Sequence, residues 1–217
     1  MKLFIDSGNI KDIETLVAIG IIDGVTTNPT LLAKEPGDYR ENLKKICQIV
    51  KGPVSGEVTA TDFAGMITQG HDIAKIDQHM IVKVPLTRAG IQACKTLSGE
   101  GIRVNVTLCF SAAQALLAAK AGATYVSPFV GRLDDIATNG MELIREIVDI
   151  YDNYDFTTEV LVASCRHPIH VVEAARMGAD IATCPPAVID QLFNHPLTNI
   201  GLEKFLKDWE KSQAVKA

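Results

Sequence analysis

A lysine interrupts an apolar run that is typical of a buried strand. Lys83 lies within IVKVP, residues 81–85, where every other residue is apolar. A surface lysine on an edge strand is the ordinary interpretation, but a strand inside a closed barrel has no exposed edge. Burial disfavours the charged form of an amine, and a neutral amine can attack a carbonyl carbon. Lys83 is therefore the candidate nucleophile, and the chemistry it indicates is the formation of a Schiff base.

Two carboxylates occupy matching positions at the ends of other predicted strands. Asp6 follows the apolar run 3–5, and Glu57 stands near the end of the run 54–58. Schiff-base chemistry requires groups that move protons to and from the nitrogen and the substrate. Asp6 and Glu57 are the candidates for this role.

Uncharged polar residues recur where the predicted strands end. A turn or a helix cap explains any one of them, and for Asn28 or Ser164 alone that interpretation is favoured. In a parallel barrel, however, the C-terminal strand ends surround the site at which substrates bind. The recurrence across strands therefore predicts a shared site. Its candidate members are Thr26, Asn28, Asn105, Thr107, Ser127 and Ser164.

Two arginines follow the sixth and seventh predicted strands. Arg132 closes the motif SPFVGR, and Arg166 closes the motif SCR. Guanidinium groups bind phosphate through paired N–H donors, and the serines add hydroxyl groups. The pattern indicates a phosphate site. A surface salt bridge from Arg132 to Asp134 or Asp135 is an equally weighted alternative.

These side chains require a fold that brings strand ends together. Short runs rich in Val and Ile alternate with helical patterns along the chain, which is typical of βα units. Eight such units predict an α/β protein with the (β/α)8 or TIM barrel fold. An open doubly wound sheet is the alternative, but no G-x-G-x-x-G follows the first strand. The predicted strands are 3–6, 21–26, 54–58, 80–84, 103–108, 124–128, 159–163 and 181–183.

The predicted helices follow these strands, and one more closes the chain. They are 10–19, 39–50, 63–76, 89–97, 112–121, 141–154, 168–177, 187–193 and a terminal helix at about 199–213. The terminal helix has an apolar stripe with i, i+3, i+4, i+7 spacing, formed by Leu202, Phe205, Leu206 and Trp209. Packing on its own barrel and contact with another subunit explain this stripe equally well. Residues 1–217 are thus expected to form one barrel domain with an additional C-terminal helix.

Composition and charge exclude several classes of partner. The chain has 217 residues, of which 47% are hydrophobic and 22% are charged, and its net charge is −5. Because there is no basic tail or cluster, nucleic acid is not an expected partner. No run approaches the ~18 apolar residues that a membrane span needs, and the first residues lack a secretory pattern. We expect a cytoplasmic protein without a membrane segment.

The cysteines and histidines do not follow a disulfide or metal-binding pattern. The five cysteines share no C-x-x-C spacing and are expected to be reduced. His167 and His170 lie three residues apart without a third candidate ligand near them. Helix initiation and packing are therefore favoured over a metal site, and no metal is expected.

Five motifs occur along the chain in a specific order. They are FID at 4–6, GVTTNPT at 24–30, VKVP at 82–85, NVT at 105–107 and SPFVGR at 127–132. Together they resemble the short transaldolase family, which includes the fructose-6-phosphate aldolases, and the similarity extends from the first strand to the terminal helix. DSGN at 6–9 replaces the more usual DTAN but retains Asp6.

The resemblance implies a class I aldolase that needs no cofactor and uses a (β/α)8 barrel. Such an enzyme moves a dihydroxyacetone unit within the pentose phosphate pathway. The donor would be sedoheptulose 7-phosphate or fructose 6-phosphate, and the acceptor glyceraldehyde 3-phosphate or erythrose 4-phosphate. By matching motif, Lys83 would form the imine with C2 of the ketose, and Asp6 would be the base at its C4 hydroxyl. Glu57 and Thr107 would hold a water that relays protons.

The same resemblance implies the substrate contacts. The expected residues are Thr26, Asn28, Asn105, Ser127, Phe129, Arg132, Ser164 and Arg166. Within this set, the two asparagines would orient hydroxyl groups of the donor, and Ser127 would line the donor pocket. Arg132, Ser164 and Arg166 would bind phosphate.

Two positions distinguish the branches of this family. Aldolases that release free dihydroxyacetone resemble this chain but carry Gln at the position of Glu57 and Tyr at the position of Phe129. Transaldolase is therefore the expected activity, and fructose-6-phosphate aldolase is the nearest alternative. From a different class, the alternative is a non-catalytic barrel that binds sugar phosphates.

The resemblance also implies self-association. Family members form ring-shaped homo-oligomers, commonly decamers built from pentamers. The terminal helix at about 199–213 is then expected to exchange between subunits.

Overall fold

Eight parallel strands pair in chain order and close into a barrel. The computed structural model describes residues 1–216, with side chains described as far as residue 214. The strands are rich in Val and Ile because both of their faces are covered. The predicted (β/α)8 barrel is confirmed. Its strands are β1 (Lys2–Asp6), β2 (Gly24–Thr26), β3 (Val54–Glu57), β4 (Met80–Pro85), β5 (Val104–Cys109), β6 (Tyr125–Pro128), β7 (Glu159–Val162) and β8 (Ile181–Cys184).

The strand register brings polar residues to one rim of the barrel. Asp6 at the end of β1 pairs with Thr26 at the end of β2. Glu57 at the end of β3 pairs with Lys83 in β4, and Lys83 pairs in turn with Asn105 in β5. Because parallel strands all run in one direction, their C-terminal ends form a single rim.

Large apolar side chains fill the barrel beneath this rim. Each of these residues lies two positions before a rim residue, as Ile81 lies before Lys83, and strand alternation places both on the inner face. Dense packing below the rim excludes water there, so the polar groups of the rim must satisfy one another or face a cavity. The filling residues include Phe4, Ile81, Tyr125, Leu161 and Ile181.

Helices cover the outside of the barrel. Several begin at a residue whose side chain accepts a backbone N–H of the first turn, as Asp38 and Ser111 do. The helices are α1 (Ile10–Val17), α2 (Pro29–Leu32), α3 (Tyr39–Val50), α4 (Phe63–Ala74), α5 (Arg88–Gly99), α6 (Ala112–Ala121), α7 (Val130–Asp134), α8 (Gly140–Asn153), α9 (Pro168–Met177), α10 (Pro186–Leu192) and α11 (Pro196–Lys216). The short helices α2 and α7 are additional to the predicted ones. Within the described part of the chain, no helix has the length and apolar character needed to cross a membrane.

The additional C-terminal helix is confirmed and is longer than predicted. α11 begins at Pro196 rather than near residue 199, and proline suits the first turn of a helix. The four residues of the predicted stripe are more than half exposed: Leu202 58%, Phe205 72%, Leu206 54% and Trp209 65%. The helix therefore does not bury its apolar stripe against its own barrel.

Candidate active site

A cavity of about 560 Å³ opens at the C-terminal ends of the strands, which is the end at which (β/α)8 barrels bind substrates. The predicted site residues that line it are Asp6, Thr26, Asn28, Lys83, Ser127, Phe129, Arg132, Ser164 and Arg166. Asn105 and Thr107 are fully buried and do not line it. Glu57 lines another cavity of about 600 Å³, although its carboxylate reaches Lys83.

Lys83 is buried at the base of the cavity, with 4% of its surface exposed. Its Nζ lies 3.0 Å from Oε2 of Glu57 and donates a hydrogen bond to the carbonyl oxygen of Thr27 at 3.1 Å. The apolar sequence around Lys83 predicts a neutral amine, whereas the structure places a carboxylate directly beside it. The ion pair arises because the register of β3 and β4 aligns the two residues. Glu57 is therefore placed to accept a proton from Lys83.

Asp6 is held by hydroxyl groups of two neighbouring strands. Its Oδ1 accepts a hydrogen bond from Thr26 Oγ1 at 2.8 Å, and Thr26 Oγ1 lies 2.7 Å from Thr183 Oγ1. Because Thr26 gives its proton to the carboxylate, Thr183 is the donor in the second contact. Burial raises the pKa of Asp6 above its ordinary value, while the Thr26 hydrogen bond and the charge of Lys83 act in the opposite direction. A carboxylate with a raised pKa is a stronger proton acceptor.

Asn105 supports the cavity wall from behind. Its Oδ1 accepts a hydrogen bond from Ser127 Oγ at 2.7 Å, and its Nδ2 donates to Ser55 Oγ at 3.2 Å. Ser127 lines the cavity while Asn105 does not. The structure thus places Asn105 where it orients Ser127.

Asn28 and Thr107 have different hydrogen-bonding states. Asn28 lines the cavity, and its Oδ1 accepts the N–H of Leu31 at the start of α2, so its amide N–H groups remain to donate to a ligand. The Thr107 hydroxyl is buried and has no hydrogen-bond partner among the described residues. Thr107 follows Asn105 by two positions on β5 and therefore faces the same side of the strand.

The two predicted phosphate-binding arginines line the same cavity. The Arg132 guanidinium lies over the ring of Phe129, with Cζ 5.1 Å from the ring centroid, a cation–π arrangement. Arg166 Nη2 lies 2.9 Å from Asp135 Oδ2 in an exposed ion pair, which is a weak type of interaction. Asp134 pairs with His170. Asp134 and Asp135 therefore pair with other residues, and neither forms the salt bridge to Arg132 that was the alternative.

The two neighbouring histidines take part in packing. His167 precedes Pro168 at the start of α9, and the rings of His167 and His170 are in contact, with their centroids 3.9 Å apart and their planes tilted by 37°. His170 is buried and lies 2.9 Å from a carboxylate oxygen of Asp134. This is the arrangement that helix initiation and packing predict.

Gly131 allows the two arginine-bearing segments to approach each other. Its N–H donates to the carbonyl oxygen of Ser164 at 3.1 Å. A Cβ atom at position 131 would overlap that oxygen and lie 2.6 Å from Nε of Arg166. Ser164 has a φ of +61°, in the left-handed region that non-glycine residues seldom adopt. Because the overlap involves a main-chain atom of Ser164, a larger side chain at position 131 would require the backbone to shift.

Replacing Gly131 with alanine is expected to lower the free energy of unfolding by about 1–3 kcal/mol, the usual scale of overpacking. It should also weaken binding of inorganic phosphate by displacing Arg166. Urea unfolding and isothermal titration calorimetry measure the two effects. Gly99→Ala is the control, because a Cβ at Gly99 meets nothing within 4 Å. Equal stability of the two variants would contradict the close packing at Gly131.

Sequence reasoning missed several residues of this site. Thr183 lines the cavity and Ser55 holds Asn105. Each is a polar residue inside a predicted strand, at one of the alternating positions whose side chains face the barrel interior. This position is the signal that could have identified them. Lys34 also lines the cavity, but it follows the short helix α2 and has no comparable signal.

The arrangement combines the groups that imine chemistry requires. A buried amine lies beside one carboxylate, a second carboxylate is held by hydroxyl groups, and two guanidinium groups line the same cavity. An amine with a proton acceptor can form an imine with a carbonyl, and a separate base can remove a hydroxyl proton from the bound substrate. Guanidinium groups suit a phosphorylated substrate.

Comparison with known proteins finds close relatives over nearly the whole chain. Each of the following is named "Probable transaldolase". The protein of Kosmotoga olearia is 57% identical over 97% of both chains. That of Caldicellulosiruptor saccharolyticus is 60% identical, and that of Methanococcus vannielii is 59% identical, each over 97% of this chain and 98% of the relative.

A solved structure and a family model complete the comparison. The structure, described as "Native KDPGal structure", has a TM-score of 0.60 and 14% identity, and the match covers 85% of this chain and 82% of that one. At this identity it shows a common barrel fold alone. The model of the family described as Transaldolase/Fructose-6-phosphate aldolase matches residues 3–216. The chain therefore belongs to the transaldolase/fructose-6-phosphate aldolase family.

Proposed function

We propose that this protein is a transaldolase that transfers a dihydroxyacetone unit between sugar phosphates of the pentose phosphate pathway through a Schiff base. The observation that carries the proposal is the buried Lys83 side chain, which lines the cavity and whose Nζ lies 3.0 Å from the Glu57 carboxylate. The proposed chemistry uses side chains alone and needs no cofactor. A cytoplasmic location stays a prediction from the sequence.

In the proposed complex, the substrate spans the cavity from Lys83 to the two arginines. The ketose carbonyl lies at Lys83, and the phosphate lies at Arg132, Ser164 and Arg166, which line the same cavity. The volume of the cavity, about 560 Å³, falls in the usual range for small-molecule sites. Asn28 and Ser127 bind hydroxyl groups of the donor.

Imine formation begins with proton transfer from Lys83 to Glu57 across the 3.0 Å contact. The neutral amine attacks C2 of the ketose, and the resulting carbinolamine loses its hydroxyl group as water. Glu57 returns the proton that this hydroxyl needs in order to leave. The unpaired hydroxyl of Thr107 supplies a further hydrogen bond for the water that carries the proton.

Cleavage then depends on Asp6. Its carboxylate removes the proton from the C4 hydroxyl, the C3–C4 bond breaks, and the electron pair moves to the protonated imine nitrogen, which gives an enamine on Lys83. The aldose phosphate leaves. An acceptor aldose phosphate reacts with the enamine by the reverse of these steps, and hydrolysis of the new imine frees the product.

Reductive trapping tests this proposal. Borohydride converts an imine to a stable amine, so fructose 6-phosphate with borohydride should leave a three-carbon adduct on Lys83. Mass spectrometry of the peptide that contains Lys83 measures it. An unchanged mass of this peptide would reject the mechanism.

Fructose-6-phosphate aldolase is the second candidate, because the matching family model includes both activities. The two reactions differ in the fate of the enamine, which is transferred to an aldose by one enzyme and released as dihydroxyacetone by the other. Glu57 and Phe129 favour transfer. A rate of donor cleavage that depends on acceptor concentration would support transaldolase, and equal cleavage without an acceptor would support the aldolase.

Replacing Phe129 with tyrosine is expected to increase the release of free dihydroxyacetone. Phe129 lines the cavity with Lys83, so the added phenol places a proton donor near the enamine. Release without acceptor is measured with a coupled assay for dihydroxyacetone. Phe110→Tyr is the control, because the Phe110 ring packs on Phe129 at 5.8 Å but does not line the cavity. Equal release by both variants would contradict the assignment.

Removing residues 199–217 is expected to reduce the size of the particle in solution. The proposal that α11 exchanges between subunits of a homo-oligomer, most often a decamer, is supported by its exposed apolar stripe, in which Phe205 is 72% and Trp209 65% exposed. Light scattering measures the particle mass. Removing only residues 214–217 is the control, since it leaves the stripe intact. An unchanged mass after the longer deletion would reject the exchange.

A further inference from the structure

A buried histidine connects the two segments that carry the cavity arginines. His170 lies in α9 and is 4% exposed. Its Nε2 lies 2.9 Å from Oδ2 of Asp134, and its Nδ1 accepts the backbone N–H of Arg166 at 3.1 Å. Asp134 closes α7, the helix that carries Arg132. The ring therefore bridges the helix of one arginine and the main chain of the other.

These contacts define the protonation state of the ring. A backbone N–H can only donate, so Nδ1 must hold a lone pair, and the carboxylate of Asp134 requires the hydrogen on Nε2. Burial lowers the pKa of His170 and the neighbouring His167 lowers it further, while Asp134 and Glu173 raise it. A doubly protonated ring would carry a hydrogen on Nδ1 and lose the contact with Arg166.

Asp134 is itself fixed in place. Its Oδ1 accepts the N–H of Gly140 at 2.9 Å, at the start of α8. The neighbouring ion pair of Asp135 and Arg166 also links the two segments, but both of its side chains are more than half exposed, so it contributes little rigidity. The buried contact through His170 is therefore the main side-chain link between the two segments, beside the backbone hydrogen bonds from Val130 to Ala163 and from Gly131 to Ser164.

We propose that His170 is a positioning residue for the phosphate end of the cavity. Through Nδ1 it holds the main chain of Arg166 in place, and so sets the position of the Arg166 guanidinium group relative to that of Arg132. The inference rests on the proposed function, because it takes these arginines as the ligands of the substrate phosphate. It goes further in assigning phosphate recognition to a residue that does not itself line the cavity.

Two substitutions separate the two contacts of the ring. The amide oxygen of asparagine lies as far along the side chain as Nδ1, so His170→Asn retains an acceptor for Arg166. The amide nitrogen of glutamine lies at the position of Nε2, so His170→Gln retains a donor for Asp134 and loses the acceptor. His167→Gln, at the exposed neighbouring histidine, is the matched control.

The experiment measures the dissociation constant of inorganic phosphate by calorimetry and, separately, KM and kcat for fructose 6-phosphate. We expect His170→Gln to raise the dissociation constant and KM about fivefold to tenfold, as loss of one hydrogen bond predicts, and kcat to stay within about twofold, because Lys83 is untouched. His170→Asn and His167→Gln should stay within about twofold of the unaltered protein, a difference too small to represent a lost hydrogen bond.

Trapping with dihydroxyacetone and borohydride supplies a readout without phosphate. An adduct at Lys83 in every variant shows that the barrel is folded, and a weakened phosphate affinity in His170→Gln alone supports the inference. Equal weakening in the Gln and Asn variants indicates a general structural role and overturns it, as does unchanged affinity in both. If His170→Gln does not fold, His170→Leu, which likewise removes the acceptor for the Arg166 N–H, takes its place, and unchanged phosphate affinity there overturns the inference.

The proposed function and this inference fail in different ways. Absence of turnover and of any adduct in the unaltered protein rejects transaldolase chemistry, but phosphate calorimetry still tests His170. If the protein turns over substrate but its phosphate affinity does not depend on a hydrogen-bond acceptor at position 170, only the inference about His170 is rejected.

Discussion

Replacing Lys83 with methionine is expected to lower kcat at least about ten-thousand-fold, the scale on which loss of a nucleophile acts. Methionine has a similar length and fits an apolar strand, but it has no amine to form the imine. The Lys83 contacts with Glu57 and with the Thr27 carbonyl are lost at the same time. Donor cleavage and borohydride trapping should both disappear.

The control for this variant is Lys34→Met. Lys34 lines the same cavity but is exposed, so its loss can change KM but should leave kcat and the adduct in place. Thermal unfolding of both variants verifies that they are folded. Turnover by Lys83→Met at a rate near that of the unaltered enzyme would exclude the Schiff-base mechanism at Lys83.

The barrel was predictable because its signal repeats. Apolar runs such as 80–84 and helical patterns such as 112–121 alternate around the whole fold, and the observed β4 and α6 lie within a residue of those bounds. The short helices α2 (Pro29–Leu32) and α7 (Val130–Asp134) were missed. Each is about one turn long, too short for a 3.6-residue period to be detected.

The candidate site was predictable where a polar residue breaks an apolar strand or directly follows one. Lys83 is such a residue, and the structure places it in the cavity. Its pairing with Glu57 depends on the register between β3 and β4, and no single strand reveals that register. Likewise, His170 gives only a helix-packing signal in the sequence. Its contact with Asp134 depends on how α9 and α7 lie against each other.

Replacing Asp6 with asparagine is expected to lower kcat by about a hundredfold to ten-thousandfold, the usual contribution of a general base. The amide can still accept the hydrogen bond of Thr26, so the geometry is retained while the base is lost. Because imine formation does not use Asp6 in the proposed mechanism, donor should still be trapped on Lys83 by borohydride. Asp180→Asn, at the opposite end of the barrel, is the control and should leave kcat unchanged.

The same substitution is expected to stabilise the protein, and the effect should depend on pH. Burial raises the pKa of Asp6 in the folded state above its ordinary value of 3.8. Below that ordinary value the carboxyl is protonated in both states, so its ionisation has no effect on folding. As pH rises, the unfolded chain releases the proton first, and stability falls until the raised pKa of the folded state is passed.

Asparagine does not titrate and avoids this loss. The unfolding temperature of Asp6→Asn should therefore exceed that of the unaltered protein by more at pH 7 than at pH 4. A site that gains stability when its base is removed has been selected for chemistry at the expense of folding. A difference in unfolding temperature that is the same at both pH values, or that favours the unaltered protein, would contradict the raised pKa and with it the assignment of Asp6 as the stronger base.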